Sequence, residues 1–163
     1  MTVGQIRIKN LIPLLMRIPV PWVFVLTYLI GVGLEFVFPF TLYSEAPPGI
    51  SITGVGLFVI GAGSAGWAWG IFHRAGTTRI PGQPSTALVT WGPYRMSRNP
   101  MYVGLALAYI GEALMLRQVW PVIVLPLMVA YLNWIVIPVE EARLRKVFQS
   151  RYDEYCRSVN RWI

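Results

Sequence analysis

Four long apolar blocks, at 21–40, 50–72, 100–116 and 119–139, constrain this 163-residue chain more than any other feature. A helix needs about 20 apolar residues to cross a hydrocarbon core of roughly 30 Å. Three blocks meet that length and the third falls slightly short, which suggests a thin or tilted local setting. None alternates polar and apolar residues as barrel strands do, and open backbone is too costly in lipid. The expected class is therefore all-α, a polytopic membrane protein of about four spans forming a single domain over 1–163. With 55% hydrophobic and 13% charged residues, a soluble fold of this length would lack polar surface.

The net charge of +7 would fit a nucleic-acid binder, but its placement points elsewhere. Arg7, Lys9 and Arg17 precede the first block. Arg74, Arg79, Arg95 and Arg98 lie between the second and third, and Arg143, Arg145, Lys146, Arg151, Arg157 and Arg161 follow the fourth. Of the 14 basic residues only Arg117 falls in a connection on the other side. This is the positive-inside pattern, so both termini and the 73–99 loop are expected on the cytoplasmic face of an integral membrane protein. Topology and anionic headgroups account for the basic balance without nucleic acid. No small-residue cleavage site follows the first apolar run, which is expected to remain as a span. The stretch at 6–18 mixes apolar and basic residues and is expected to lie at the interface as an amphipathic helix.

Connections at 41–49, with Pro47-Pro48-Gly49, and at 117–119 are short, so the blocks read as two hairpins. The second block carries Gly54, Gly56, Gly61, Gly63, Gly66 and Gly70. Glycines let helix backbones approach closely in lipid, and Gly66 and Gly70 form a G-x-x-x-G pair. After Glu140, the apolar positions Leu144, Val147, Phe148, Tyr152, Tyr155 and Val159 recur every three or four residues. The pattern predicts an amphipathic cytoplasmic helix over 140–158, continuing or bending away from the fourth span near Pro138.

The residue inventory narrows the chemistry. A single cysteine, Cys156, excludes an internal disulfide and a thiolate metal cluster. A single histidine, His73, excludes a histidine-rich metal site and reads best as an interfacial residue at the end of the second span. No metal site is expected. An enzyme with neither metal nor evident nucleophile would borrow its reactivity from a cofactor. Glu35 and Glu112 fall inside blocks, where an ionisable group costs a few kcal/mol and suggests function unless it sits near a span end.

The stretch 86–104, TALVTWGPYRMSRNPMYVG, leads into the third block. Asn99 is a good helix N-cap and Pro100 is favoured at the first helical position. The positive end of that helix would then face the 73–99 loop and could hold a carboxylate or phosphate. Glu140 and Glu141 stand where the fourth block reaches the same surface, and carboxylates accept hydrogen bonds from an ammonium group or a ribose diol. A ligand with an anionic and a cationic end would fit between them. Taken singly, each feature has a plain alternative. Asn99-Pro100 starts a helix in any protein, and Glu141 with Arg145 is an ordinary i,i+4 pair.

The segment 86–104, followed by EEARLRKVFQSRYDEYCRSVNRWI at 140–163, resembles the isoprenylcysteine carboxyl methyltransferase family, relatives of the membrane phospholipid methyltransferases. The shared pattern is a Leu-Val, a Gly-x-Tyr, an Arg-His-Pro-x-Tyr, an acidic pair, and a tail with Phe and spaced Tyr. Asn99 stands where the family usually has histidine, and Ile135-Val136-Ile137 fills the turn where eukaryotic members carry an arginine. The resemblance implies that S-adenosylmethionine is bound by Thr86, Ala87, Leu88, Val89, Tyr94, Asn99, Pro100, Met101 and Tyr102, with Glu140 and Glu141 opposite. It implies methyl transfer to a lipophilic, amphipathic acceptor arriving through the bilayer, a prenylcysteine carboxylate or a phospholipid. Tyr102, Glu112 and Trp134 are candidates for lining that route. A nicotinamide-dependent membrane reductase would need more spans, and a scaffold or small transporter would leave the 86–104 and 140–155 motifs without a purpose.

Overall fold

The structure is a computed structural model and describes residues 19–40, 47–76 and 87–163. The expected interfacial helix at 6–18 and the candidate Thr86 lie outside the described residues. All regular structure among the described residues is helical. The elements are α1 (Val20–Val37), α2 (Pro48–Arg74), a 3-10 turn (Gly92–Arg95), α3 (Pro100–Met115), α4 (Trp120–Tyr131), a π-helical turn (Leu132–Val136), α5 (Ile137–Phe148) and α6 (Ser150–Ser158). Proline stands in the first turn of α1 to α4, where its missing N–H removes a donor that would have had no intrahelical partner.

Three helical stretches are long and apolar enough to cross a membrane: Val20–Val37, Gly49–Arg74 and Trp120–Phe148. The fourth apolar helix, α3, has only 16 residues, or about 24 Å. The last stretch runs from α4 through the π turn into α5 without a break at Pro138. The amide of Ile137 reaches back five residues to the Leu132 carbonyl, so the wider π turn comes immediately before the proline. Of the two alternatives at Pro138, the helix continues, and the chain turns instead at Gln149, whose φ is +47°, between α5 and α6. The predicted 140–158 helix is thus two helices, bridged by the Arg145 Nε to Asp153 Oδ1 ion pair at 2.8 Å.

The tightest packing is between α2 and α3, which run antiparallel. A Cβ built on Gly61 would lie 2.6 Å from the Gly104 carbonyl oxygen, and one on Gly54 2.7 Å from that of Gly111. These distances are backbone against backbone, and only glycine permits them. Gly66 and Gly70, the pair expected to mediate close approach, meet no heavy atom within 4 Å. The glycines that do pack are Gly54 and Gly61 against Gly104 and Gly111, each pair seven residues apart.

α1 lies against α4 in the same antiparallel sense. Gly31 meets the backbone of Pro121, and Tyr28 Oη donates to Gln118 Oε1 at 2.7 Å. Glu35, singled out as an ionisable residue within a span, sits near the end of α1. Its Oε2 accepts the amides of Val119 (3.1 Å) and Trp120 (3.2 Å), and its Oε1 that of Phe40 at 3.2 Å. Glu35 therefore caps the start of α4, as an N-terminal carboxylate is suited to do.

These pairings set a common polarity. The end of α1, the start of α2, the end of α3 and the start of α4 share one end of the molecule. The opposite end gathers the start of α3, the loop at 87–99, α5 and α6. α2 pairs Ala65 with Gly104 and continues to Arg74, so it outruns the start of α3, four residues before Gly104, by about 8 Å. The 87–99 loop folds onto that overhang: Gly92, at φ +64°, lies under Ile71, and Phe72 meets Tyr94 edge to face at 5.0 Å.

Candidate functional site

The short α3 leaves a shelf between two longer helices, and the motif residues assemble on it. Tyr102, on the first turn of α3, is fully buried and its Oη donates to Glu140 Oε1 at 2.7 Å. That bond joins the start of α3 directly to α5. One residue on, Glu141 is only 9% exposed. Its carboxylate accepts Nε and Nη2 of Arg161 at 3.1 and 2.7 Å and pairs with Arg98 Nη1 at 3.2 Å. Adjacent glutamates thus have different work: Glu140 meets a tyrosine, and Glu141 neutralises two arginines.

Behind this clasp is an apolar cluster. Val89, Tyr94, Tyr152 and Tyr155 are buried together with Ala68 and Ile71, and Leu88, Met101, Leu144, Phe148 and Val159 pack onto them. Tyr155 Oη donates to the Tyr94 carbonyl at 2.6 Å, and Tyr94 Oη reaches the Ala68 carbonyl at 3.4 Å. α6 is therefore folded over the motif loop by its two aromatic residues. Burial, reinforced by the neighbouring Cys156 and Glu141, pushes the Tyr152 hydroxyl well above the usual phenol range.

Asn99 occupies the residue before α3, as expected, but its side chain makes no cap hydrogen bond. Its Nδ2 instead donates to the Arg161 carbonyl at 3.0 Å. The Asn99 carbonyl takes up the amides of Tyr102 and Val103, so the helix start is satisfied by backbone. Pro100 is buried and Ala87 half-buried at the edge of the same region. The structure brings together Leu88, Val89, Tyr94, Asn99, Pro100, Met101, Tyr102, Glu140 and Glu141.

It does not bring the two acceptor candidates to the clasp. Glu112 is on the last turn of α3, about 18 Å along the helix from Pro100, within electrostatic range of Tyr28 and Tyr109. Trp134 is 72% exposed on the π turn and faces outward.

Two arginines central to this region were read from the sequence only as topology charges. Arg98 had a usable signal, since a charge next to Asn99-Pro100 must find a partner once that helix start is buried. Its Nη1 also lies 2.6 Å from Cys156 Sγ, and its buried Nε has no hydrogen-bond partner among the described residues. Arg161 carried no local signal. The Glu141 hydrogen bonds hold its pKa above the ordinary guanidinium value, against the opposing effect of burial. Among the described residues, no group of His, Cys, Asp and Glu could hold a metal ion.

Neither a curated protein nor a solved structure matches the chain. A family model does: that of the phospholipid methyltransferases, over residues 50–151. The matched stretch contains all but the first two residues of α2, the 87–99 loop, α3, α4 and α5, including the Tyr102–Glu140 bond and Glu141. The motif order, the all-helical membrane architecture and this match agree, and the chain belongs to the phospholipid methyltransferase family.

Proposed function

We propose that this chain uses S-adenosylmethionine to methylate an amphipathic acceptor that reaches the site through the bilayer, with the site end in the cytoplasm. The observation that carries the reading is the Tyr102–Glu140 hydrogen bond at 2.7 Å, which makes one site of the two motif halves. The donor groups suit such a cofactor. Glu140 can hold an ammonium group or a ribose diol. Arg98, whose Nε has no partner among the described residues, would meet a carboxylate only by sharing its guanidinium with Glu141. The apolar surface of Leu88, Val89 and Met101 suits an adenine ring.

When bound, the cofactor supplies a methyl group on a sulfonium that is already activated for in-line displacement. The protein's share is orientation and exclusion of water. In this reading Ala87, Leu88, Val89 and Tyr94 form the loop side of the site. Asn99, Pro100, Met101 and Tyr102 form its floor at the start of α3, and Glu140 its far wall. Glu141 acts at one remove, through the arginines it holds. Thr86 belongs to the same motif.

A carboxylate acceptor needs no base at neutral pH, whereas a protonated amine must first lose a proton. The only histidine of the chain, His73, is exposed beside Trp69. That favours a prenylcysteine-type carboxylate as acceptor. The second reading, a phospholipid amine, is favoured by the family model itself. Trp134, exposed on the π turn, is placed to meet an acceptor on the bilayer side.

A thermal-shift comparison in detergent with S-adenosylhomocysteine, NADPH and no ligand tests the cofactor. A shift with the first alone is expected. A shift with the second indicates a reductase, and none at all a scaffold or transporter. Glu140→Ala should weaken S-adenosylhomocysteine binding about tenfold by calorimetry, the size of one charge-assisted hydrogen bond. Unchanged affinity would remove Glu140 from the site. Mass spectrometry of phospholipids and prenylcysteine peptides incubated with labelled cofactor then separates the two acceptors.

A further inference from the structure

Residues 159–163 do not simply trail from α6. They cross the entrance to α3 and tie three separate elements to one another. Arg161 lies at the crossing. Its guanidinium holds Glu141 of α5 through two hydrogen bonds and donates Nη1 to Asn133 Oδ1 on the π turn at 3.3 Å. Trp162 Nε1 donates to the same Asn133 oxygen at 3.1 Å. The Arg161 carbonyl accepts Asn99 Nδ2 at 3.0 Å and Ser97 Oγ at 3.3 Å. The Arg98 amide donates to the Asn160 carbonyl at 2.9 Å.

We propose that Arg161 is a positioning residue of the methyl-transfer site, and that residues 159–163 are a strap fixing the start of α3 against α5. The physical case is one of leverage. Tyr102 and Glu140 come from helices joined only through α4, and one hydrogen bond between them does not fix their spacing. Apart from the bonds to Asn133 on the π turn, the strap contacts named above fall within a few residues of one partner: Ser97, Arg98 and Asn99 before Tyr102, and Glu141 after Glu140. A planar guanidinium can grip a carboxylate with two donors and still present a third. Without Arg161, Glu141 would keep Arg98 alone, leaving a buried carboxylate undercompensated beside the site.

This rests on the cofactor reading above, so the test has one readout that needs the ligand and one that does not. Arg161→Gln, Arg161→Lys and Glu141→Gln are compared with Arg145→Gln, which removes the exposed pair with Asp153 and touches no strap contact. Arg161→Gln should weaken S-adenosylhomocysteine binding about tenfold and speed hydrogen exchange in 97–103 while α1 and α4 keep their protection. Arg161→Lys should fall between it and the wild type, because an ammonium lacks the second and third arms of the fork. Adding Glu141→Gln to Arg161→Gln should cost little more than the worse single variant, because the two act through one contact. Arg145→Gln should match the wild type.

The proposal is overturned if Arg161→Gln binds and exchanges as the wild type does, or if Arg145→Gln loses as much affinity as Arg161→Gln. If the wild type binds no S-adenosylhomocysteine, the cofactor reading fails by itself, and exchange in 97–103 decides the strap. If Arg161→Gln does not fold, the lysine variant decides it: wild-type affinity and exchange there would overturn the proposal.

Discussion

A buried amide left without a partner costs roughly 1–3 kcal/mol, and Asn99, at 4% exposure, avoids that cost through the Arg161 carbonyl. Asn99→Asp would replace the donor with an acidic acceptor facing a carbonyl oxygen. We expect a loss of about 2 kcal/mol in stability, measured by chemical denaturation in detergent at neutral pH. Tyr152 gives a pH dependence of definite sign. Its folded pKa is raised above the unfolded phenol value, by burial first and then by Cys156 and Glu141. Its contribution is therefore fully present below pH about 10 and is lost as pH rises toward the folded value. Tyr152→Phe should flatten the fall in stability above pH about 10, read as the difference between variant and wild-type denaturation curves. At this scale the sequence was only partly legible. Asn99-Pro100 announced a helix start, since the cue is local. The aim of the Asn99 side chain was not announced, because its partner lies 62 residues away. Nor does anything around Arg161 distinguish a buried arginine from one facing headgroups.

Helix identity was written into the apolar blocks, whereas helix pairing needed a finer pattern. α2 carries several glycines, and composition alone does not say which face meets another helix. The choice is made by α3, whose Gly104 and Gly111 repeat the seven-residue spacing of Gly54 and Gly61. Two antiparallel helices with matched spacing can bring both pairs into backbone contact at once, while Gly66 and Gly70 find no counterpart and remain open. A methyl group at Gly61 or Gly111 would overlap backbone atoms, which cannot swing aside as a side-chain tip can. Gly61→Ala and Gly111→Ala should each cost about 1–3 kcal/mol through overpacking. Gly66→Ala should be neutral or slightly stabilising, since alanine is the better helix former. Melting temperatures of the three variants in one detergent check this, and equal losses would refute the assignment of faces. Glu35 illustrates the reverse case. Its depth in the sequence suggested function, yet at the end of α1 it caps α4, a role visible only once the two helices are side by side.

Charge and helix length together set how the whole molecule sits in a bilayer. Among the described basic residues, Arg117 lies at the end where α3 stops and α4 begins, and the others at the site end. The exposed tryptophans Trp22, Trp67, Trp69, Trp91 and Trp134 also belong to the site end, where amphipathic rings favour the headgroup level. The charge pattern supports the proposed cytoplasmic placement of the site end, while the tryptophans, which favour either interface, mark only a headgroup level. The length of α3 sets a condition, since about 24 Å of helix is short for a hydrocarbon core of roughly 30 Å. α3 crosses only if its start lies below the headgroups, shielded by the longer α2 and by the α4–α5 stretch. That recess is also where a water-borne cofactor and a lipid-borne acceptor could meet. The alternative is that α3 enters and returns on one side, which the antiparallel contact of α3 with α2 along Gly54 and Gly61 argues against. In a Cys156→Ser background, Arg117→Cys should react with a membrane-impermeant maleimide on intact cells. Met96→Cys and Arg143→Cys, both at exposed positions, should react only after permeabilisation. Labelling of residues 96 and 117 from the same side would mean that α3 does not cross, and the shelf that holds Tyr102 against Glu140 would then need a different relation to the lipid.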